Sequence, residues 1–340
     1  MNCLNLTSLL FSFILGQSSV APTDEFRLEA ATLPAPITEG GKPNVIIEAS
    51  GAEPIGDGRR FLIAHDKHPA LHLVDMATGS LIGEPLTAPK FPTPNATGPK
   101  WEGMARDGEG NFYIVGAHNG KTEDERLTKS FLLRFRLKDA ETDHPTIDDT
   151  SIIRYDISRS LVAAMKSQGS DDVAVAKRKI EGLAIRELGG HRELIIGLRQ
   201  PGGKVRAYIA DITQSSPGSE LDLKPLFVFS SDPRESNDSE LTTLEYVPSL
   251  GGFLVGTASE DTENAFHGNT LYFVADGSTD RATKIASFEV AMKLEGLAVL
   301  SEVKGSGKTV VRLLLTYDND PHATKIPSRF QTVNLIRESR

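Results

Sequence analysis

The sequence predicts an all-β protein, a β-propeller of five four-stranded blades, and three observations predict it. The chain repeats one strand–turn–strand phrase five times, its two ends hold complementary pieces of one copy, and only one stretch carries a helical pattern. Trp101-Glu102-Gly103-Met104-Ala105 leads into Asn111-Phe112-Tyr113-Ile114-Val115-Gly116, and Ile180-Glu181-Gly182-Leu183-Ala184 into Glu193-Leu194-Ile195-Ile196-Gly197. Leu244-Glu245-Tyr246-Val247 leads into Phe253-Leu254-Val255-Gly256, and Leu294-Glu295-Gly296-Leu297-Ala298 into Val311-Arg312-Leu313-Leu314-Leu315. A degenerate first copy runs from Ala49-Ser50-Gly51-Ala52 to Phe61-Leu62-Ile63-Ala64. A unit of roughly 50 residues made of strands and turns alone is the mark of a radially repeated sheet.

Each copy continues in the same order. A third strand follows at Ala70–Val74, Phe131–Phe135, Ala207–Ala210, Leu271–Val274 and Phe330–Val333. A fourth follows at Ser80–Gly83, Ser151–Tyr155, Pro225–Phe229 and Lys284–Phe288. These short runs, rich in β-branched and aromatic residues and bounded by Gly, Asp, Pro and Ser, read as strands and turns. The last copy ends near Leu335 without a fourth strand, and Phe26-Arg27-Leu28-Glu29-Ala30 stands before the first copy to supply it. Pairing the two chain ends closes the ring and removes its open sheet edge. Five blades fit the count; a sixth requires a degenerate copy hidden between 135 and 178. That interval also holds the helical pattern, Arg159 to Gln168 behind Asp156-Ile157-Ser158, with Leu161, Val162 and Met165 on one face.

Residues 1–21 read as a secretory signal: Leu4 to Gly16 is almost wholly apolar, Ser19-Val20-Ala21 is a small-residue cleavage pattern, and the run is too short to span a bilayer. The expected organisation is therefore a signal over 1–21 and one propeller domain over 22–340, exported to the periplasm or beyond the cell, with no membrane span. The single cysteine, Cys3, lies inside the signal, so the expected mature chain is held by its core without disulfides. The net charge of −9 disfavours nucleic acid, whose phosphates call for a basic surface. Asn95-Ala96-Thr97 and Asn237-Asp238-Ser239 fit the glycosylation pattern.

In a propeller the innermost strand of each blade lines the channel, which gathers Glu102, Glu181, Glu245 and Glu295 near one end, with Ser50 in the degenerate copy. Converging carboxylates need raised pKa values, basic partners or a cation. A divalent ion, calcium first, suits such oxygen ligands; a brace between blades is the structural alternative. A second set follows the second strands: His65-Asp66, His118-Asn119, Arg199-Gln200, Ser259-Glu260-Asp261 and Asp318-Asn319-Asp320. Strand ends carry loops at a channel mouth, so His65, Asp66, Asn119, Arg199 and Gln200 are candidate ligand-binding residues. Arg199 either neutralises the channel acids or grips an anionic ligand through its planar fork. His118 and Asp318 are the candidate general bases of a hydrolytic reading. The sequence holds no Gly-x-Ser-x-Gly elbow, and Gly305-Ser306-Gly307-Lys308-Thr309 has no helix after it to complete a phosphate loop.

Ser50-Gly51-Ala52 before Gly56–Ala64, Glu102-Gly103-Met104-Ala105 with Gly116-Ala117-His118-Asn119, Glu181-Gly182-Leu183-Ala184 with Gly197-Leu198-Arg199, and Glu295-Gly296-Leu297-Ala298 with Thr316-Tyr317-Asp318 together resemble a mainly bacterial propeller family catalogued as domain of unknown function 3616. The resemblance covers about residues 45 to 320 and implies the fold but no activity; Glu245-Tyr246 departs from it by lacking the glycine. More distantly, the repeat is similar to phytase-like, esterase-like and gluconolactonase-like propellers, which implies channel acids holding calcium or another divalent ion. Three readings follow: a monomeric exported protein that binds a small or polymeric anionic ligand, a metal-dependent hydrolase of phosphate esters or lactones, and an interaction scaffold with an inert channel.

Overall fold

The computed structural model describes residues 25–39, 48–56, 58–65, 70–88, 100–118, 120, 122, 126, 131–200, 203–231, 239–260, 266–288, 292–318 and 327–338. The expected signal segment, Asn95-Ala96-Thr97, and Asn237 and Asp238 of the second glycosylation pattern lie outside them, while Ser239 opens a strand. Five antiparallel sheets stand around an axis, four of them each built from one continuous stretch of the chain. From the axis outward, blade I is Ala49–Ile55, Arg60–His65, Leu71–Asp75 and Leu81–Leu86, and blade II is Trp101–Arg106, Phe112–Gly116, Leu132–Phe135 and Ile153–Tyr155. Blade III is Lys179–Leu188, His191–Arg199, Lys204–Asp211 and Lys224–Ser230, and blade IV is Ser239–Val247, Gly252–Glu260, Phe266–Ala275 and Thr283–Phe288. Blade V runs Lys293–Gly305, Lys308–Asp318, Arg329–Glu338, and its outermost strand is Glu25–Ala30 from the other end of the chain. That strand pairs from Glu25↔Glu338 to Ala30↔Val333, so the ends close the ring as expected.

The first strands of neighbouring blades pack on one another in an unbroken cycle. Each blade is buried on both faces, which is why its strands read as continuous apolar runs. The core is accordingly five seams. Ile55, Leu62 and Leu73 of blade I meet Trp101, Ile114 and Phe131 of blade II; Tyr113 and Leu132 of blade II meet Leu183 and Ile196 of blade III. Ala184 and Phe227 face Leu244 and Phe253, Leu254 and Phe273 face Leu297 and Leu315, and Ala298 and Leu314 face Ala52 and Phe61. Trp101, fully buried and edge-on to Phe131 at 6.3 Å between ring centroids, is a packing residue.

The interval from 135 to 178 holds no sixth blade. It carries a two-residue ribbon (Leu137–Lys138 with Thr146–Ile147), helix α1 (Ser158–Ser167) and helix α2 (Asp172–Ala176). Asp156 accepts a hydrogen bond from the Ser158 amide at 2.9 Å, and α1 lays Leu161, Ala164 and Met165 into the seam between blades II and III rather than over the channel. The unexpected α2 is capped by Asp171, which accepts from the Ala174 amide at 2.7 Å. Among the described residues no helix is long and apolar enough to cross a membrane.

Candidate functional site

Every innermost strand breaks register near its start, between Ala49 and Gly51, Trp101 and Met104, Ile180 and Gly182, Leu241 and Thr243, and Leu294 and Gly296, and the blade V strand breaks it again between Val299 and Ser301. A bulge inserts an extra residue and re-aims its side chain. The residues inserted at the break near the start are Ser50, Glu102, Glu181, Thr242 and Glu295, a ring drawn from all five blades. Glu245 is not a member, which corrects the expectation from its Leu-Glu pattern: in blade IV the bulge falls three residues earlier, so Thr242 takes the ring position. The residue after the bulge is glycine in four blades because the next blade's backbone lies against it. A Cβ on Gly51 would meet the Met104 amide nitrogen at 2.8 Å, and one on Gly103 the Leu183 nitrogen at 2.6 Å.

Two residues before each ring position stands a second set: Glu48, Lys100, Lys179, Glu240 and Lys293. Where the ring holds a glutamate, the outer position holds a lysine; where it holds a hydroxyl, the outer position holds a glutamate. Lys179 Nζ lies 3.1 Å from Glu102 Oε1 of the neighbouring blade and 2.5 Å from Glu181 Oε1 of its own. Lys293 Nζ lies 2.8 Å from Glu295 and Lys100 Nζ 3.8 Å from Glu102. Arg199 joins Glu181 at 3.3 Å to Glu240 through its Nε. Of the two roles expected for Arg199, the structure shows the neutralising one. Burial acts against the charge of Glu181, but Lys179, Lys293 and Arg199 outweigh it and hold the carboxyl well below the usual range. For Glu295 burial prevails over Lys293 and pushes its pKa up to about 7, with the Glu181 charge adding to the rise.

The second-strand ends do meet the bulges at one mouth, since Ala49 pairs with His65, Lys179 with Arg199 and Lys293 with Asp318. His65 is buried with its ring 5.9 Å from His72, and Gln200 is also buried. Asp318 accepts from Ser328 Oγ at 3.1 Å, and that hydroxyl in turn accepts from the Ala49 amide at 3.4 Å, tying blade V to blade I. His118 has a left-handed backbone (φ 55°) and no exposed surface. Burial and the neighbouring Arg178 charge hold it neutral. The structure thus places His118, an expected general base, in an enclosed position with its imidazole uncharged. Asp66 and Asn119, with Asp261, Asn319 and Asp320 of the same set, lie outside the described residues.

A second level of acids, which the sequence pattern does not mark as a pair, sits three residues beyond the ring. Glu53 and Glu245 share one register level with Ala105, Ala184 and Ala298. Burial pushes Glu53 up to about 8 against the pull of Arg106, and burial followed by the charges of Glu53 and Glu302 raises Glu245 well above the carboxylate range. The signal was present: blades I and IV carry a glutamate where the other three carry alanine.

The donor set at the mouth does not fit the divalent ion expected from the sequence. Its carboxylates face ammonium and guanidinium groups, and among the described residues no three His, Cys, Asp or Glu side chains are placed to hold a metal.

No family model matches the chain and no curated protein matches it. Solved propellers are similar to it at low identity. The PQQ-bound aldose sugar dehydrogenase of Streptomyces coelicolor is 11% identical over 93% of this chain and 100% of that one, with a TM-score of 0.47. A putative gluconolactonase is 10% identical over 92% and 99%, with a TM-score of 0.40. The calcium-binding protein regucalcin of Agrobacterium tumefaciens is 12% identical over 87% and 92%, with a TM-score of 0.36. A likeness at this level says nothing about the chemistry of the mouth.

Proposed function

We propose that the chain is an exported, monomeric propeller that binds a small anionic ligand at the mouth formed by the bulge ring. One observation carries the reading. The side chains of Glu102, Glu181 and Glu295 are 2, 1 and 9% exposed, whereas Lys100, Lys179, Lys293 and Arg199 keep 30, 18, 14 and 24%. These three acids lie beneath and the cations face solvent, with Glu240 at 16% the exposed carboxylate beside them, so a protein of net charge −9 presents a cationic outer layer at the mouth. Preorganised cations held by buried carboxylates are well suited to a carboxylate or phosphate, because little side-chain freedom is lost on binding.

Titration calorimetry with small mono- and dicarboxylates and with inorganic phosphate tests this. Binding that weakens with added salt and is lost in Lys293→Gln supports it; no heat with any anion rejects it. Calcium held by Glu102, Glu181 and Glu295 is the competing reading, and it requires displacement of Lys179 and Lys293. A melting temperature unchanged by chelator and by added calcium favours the lysines, and a saturable rise with calcium favours the metal.

A further inference from the structure

We infer that the ligand of this mouth is an amino acid, a carboxylate that also carries a primary ammonium, bound in the sector formed by blades III, IV and V. The inference rests on the proposed mouth and adds the second half of the ligand. Beneath the cationic layer, Glu181 Oε2, Thr242 Oγ1 and Glu295 Oε2 are enclosed and have no hydrogen-bond partner among the described residues. All three side chains belong to residues more than nine-tenths buried, and they come from three consecutive blades. Leaving such atoms unpaired costs about 1–3 kcal/mol each, more where the group is charged.

Two of the orphaned atoms are carboxylate oxygens and the third is a hydroxyl oxygen that accepts as well as donates, and an ammonium group offers three N–H donors. Lys179 and Arg199 reach Glu181 through Oε1, and Lys293 reaches Glu295 through Oε1, which leaves Oε2 of each carboxylate without a partner among the described residues. A plain anion satisfies the exposed cations and leaves these buried acceptors untouched; a ligand with both charges answers both layers. On the donor side, Gln200 Nε2 is likewise enclosed without a partner at the end of the blade III strand that carries Arg199, where it can meet the ligand's carboxylate. The chemistry is recognition, with no covalent step.

The test uses the full chain and a panel of amino acids, each matched with the 2-hydroxy acid of the same side chain. The pair keeps shape and carboxylate and exchanges an ammonium for a neutral hydroxyl. The expected result is that the best amino acid binds at least tenfold tighter than its hydroxy acid. Glu295→Gln should cost that amino acid at least tenfold in affinity and leave the hydroxy acid within twofold. Thr242→Val, which removes one acceptor and keeps the side-chain shape, should give a smaller loss in the same direction. Hydroxy acids that bind as tightly as amino acids would overturn the inference and leave the anionic mouth standing. Failure of both members of every pair would overturn the inference and remove its support from the mouth itself.

Discussion

Replacing Glu53 by glutamine should make the protein more stable, and only at high pH. Glu53 is 5% exposed and its carboxyl rises from 4.5 to about 8 through burial, with Arg106 offsetting part of the cost. Its folded pKa lies above its unfolded one, so between about pH 4.5 and pH 8 the folded state binds more protons and stability falls as pH rises. Each tenfold change in proton affinity is worth about 1.4 kcal/mol, which gives a ceiling of about 5 kcal/mol fully expressed above pH 8. Glutamine keeps the shape and cannot ionise. Urea unfolding at about pH 5 should show the variant and the wild type within about 1 kcal/mol of each other; at about pH 8.5 the variant should gain about 2–5 kcal/mol. Glu245 is raised partly by the charge of Glu53, so Glu245→Gln should stabilise in the same window and the double variant should gain less than the sum. A gain of the same size at both pH values, or none at either, would refute the reasoning, because it would mean that Glu53 does not titrate in the folded state as its enclosure requires.

Three further outcomes follow from the seams and the ring. Lys179→Met leaves Glu102 and Glu181 without their shared ammonium and should cost about 3–5 kcal/mol in urea unfolding, well above Lys100→Met, whose amine stands 3.8 Å from Glu102. Gly103→Ala presses a Cβ against the Leu183 backbone nitrogen at 2.6 Å and should destabilise by at least about 1–3 kcal/mol. Gly108→Ala meets only the flexible end of Glu187 and should cost far less in the same assay. Deleting the strand Glu25–Ala30 bares the edge of Arg329–Glu338 and removes Phe26 from its place 5.1 Å from Phe273. The deleted protein should melt lower and aggregate with rising concentration by light scattering.

The architecture was legible because it is written five times: a strand that is ambiguous in one copy is settled by its place in the others. The missing fourth strand of blade V and the spare strand at Phe26 named each other for the same reason. The ring was legible only where residue identity and backbone geometry coincide. At Glu102, Glu181 and Glu295 the glutamate precedes glycine and sits on the bulge. In blade IV, Glu245 imitates the pattern in letters while the bulge falls at Thr242, because a register shift depends on pairing with Gly252–Glu260 and leaves no fixed residue behind. The lysines were in view throughout, two residues ahead of each ring glutamate, but a lone lysine beside a strand reads as solvated surface until its amine is seen against a buried carboxylate.

With the bulge as the point of alignment, the innermost strands fall into two kinds. Blades II, III and V read Lys-x-Glu-Gly-x-Ala, as in Lys100 to Ala105, Lys179 to Ala184 and Lys293 to Ala298. Blades I and IV read Glu48-Ala49-Ser50-Gly51-Ala52-Glu53 and Glu240-Leu241-Thr242-Thr243-Leu244-Glu245. Five copies of the first kind would crowd five buried carboxylates and five amines into one narrow mouth, each pair carrying a desolvation cost that its attraction barely returns. Two copies of the second kind replace a buried charge by a hydroxyl at the mouth and move an acid three residues along the channel, where alanines on the other blades leave room for it. The two levels are therefore one arrangement. The ring holds three buried carboxylates rather than five because blades I and IV place a hydroxyl there and an acid three residues further along, where burial raises the pKa of both Glu53 and Glu245.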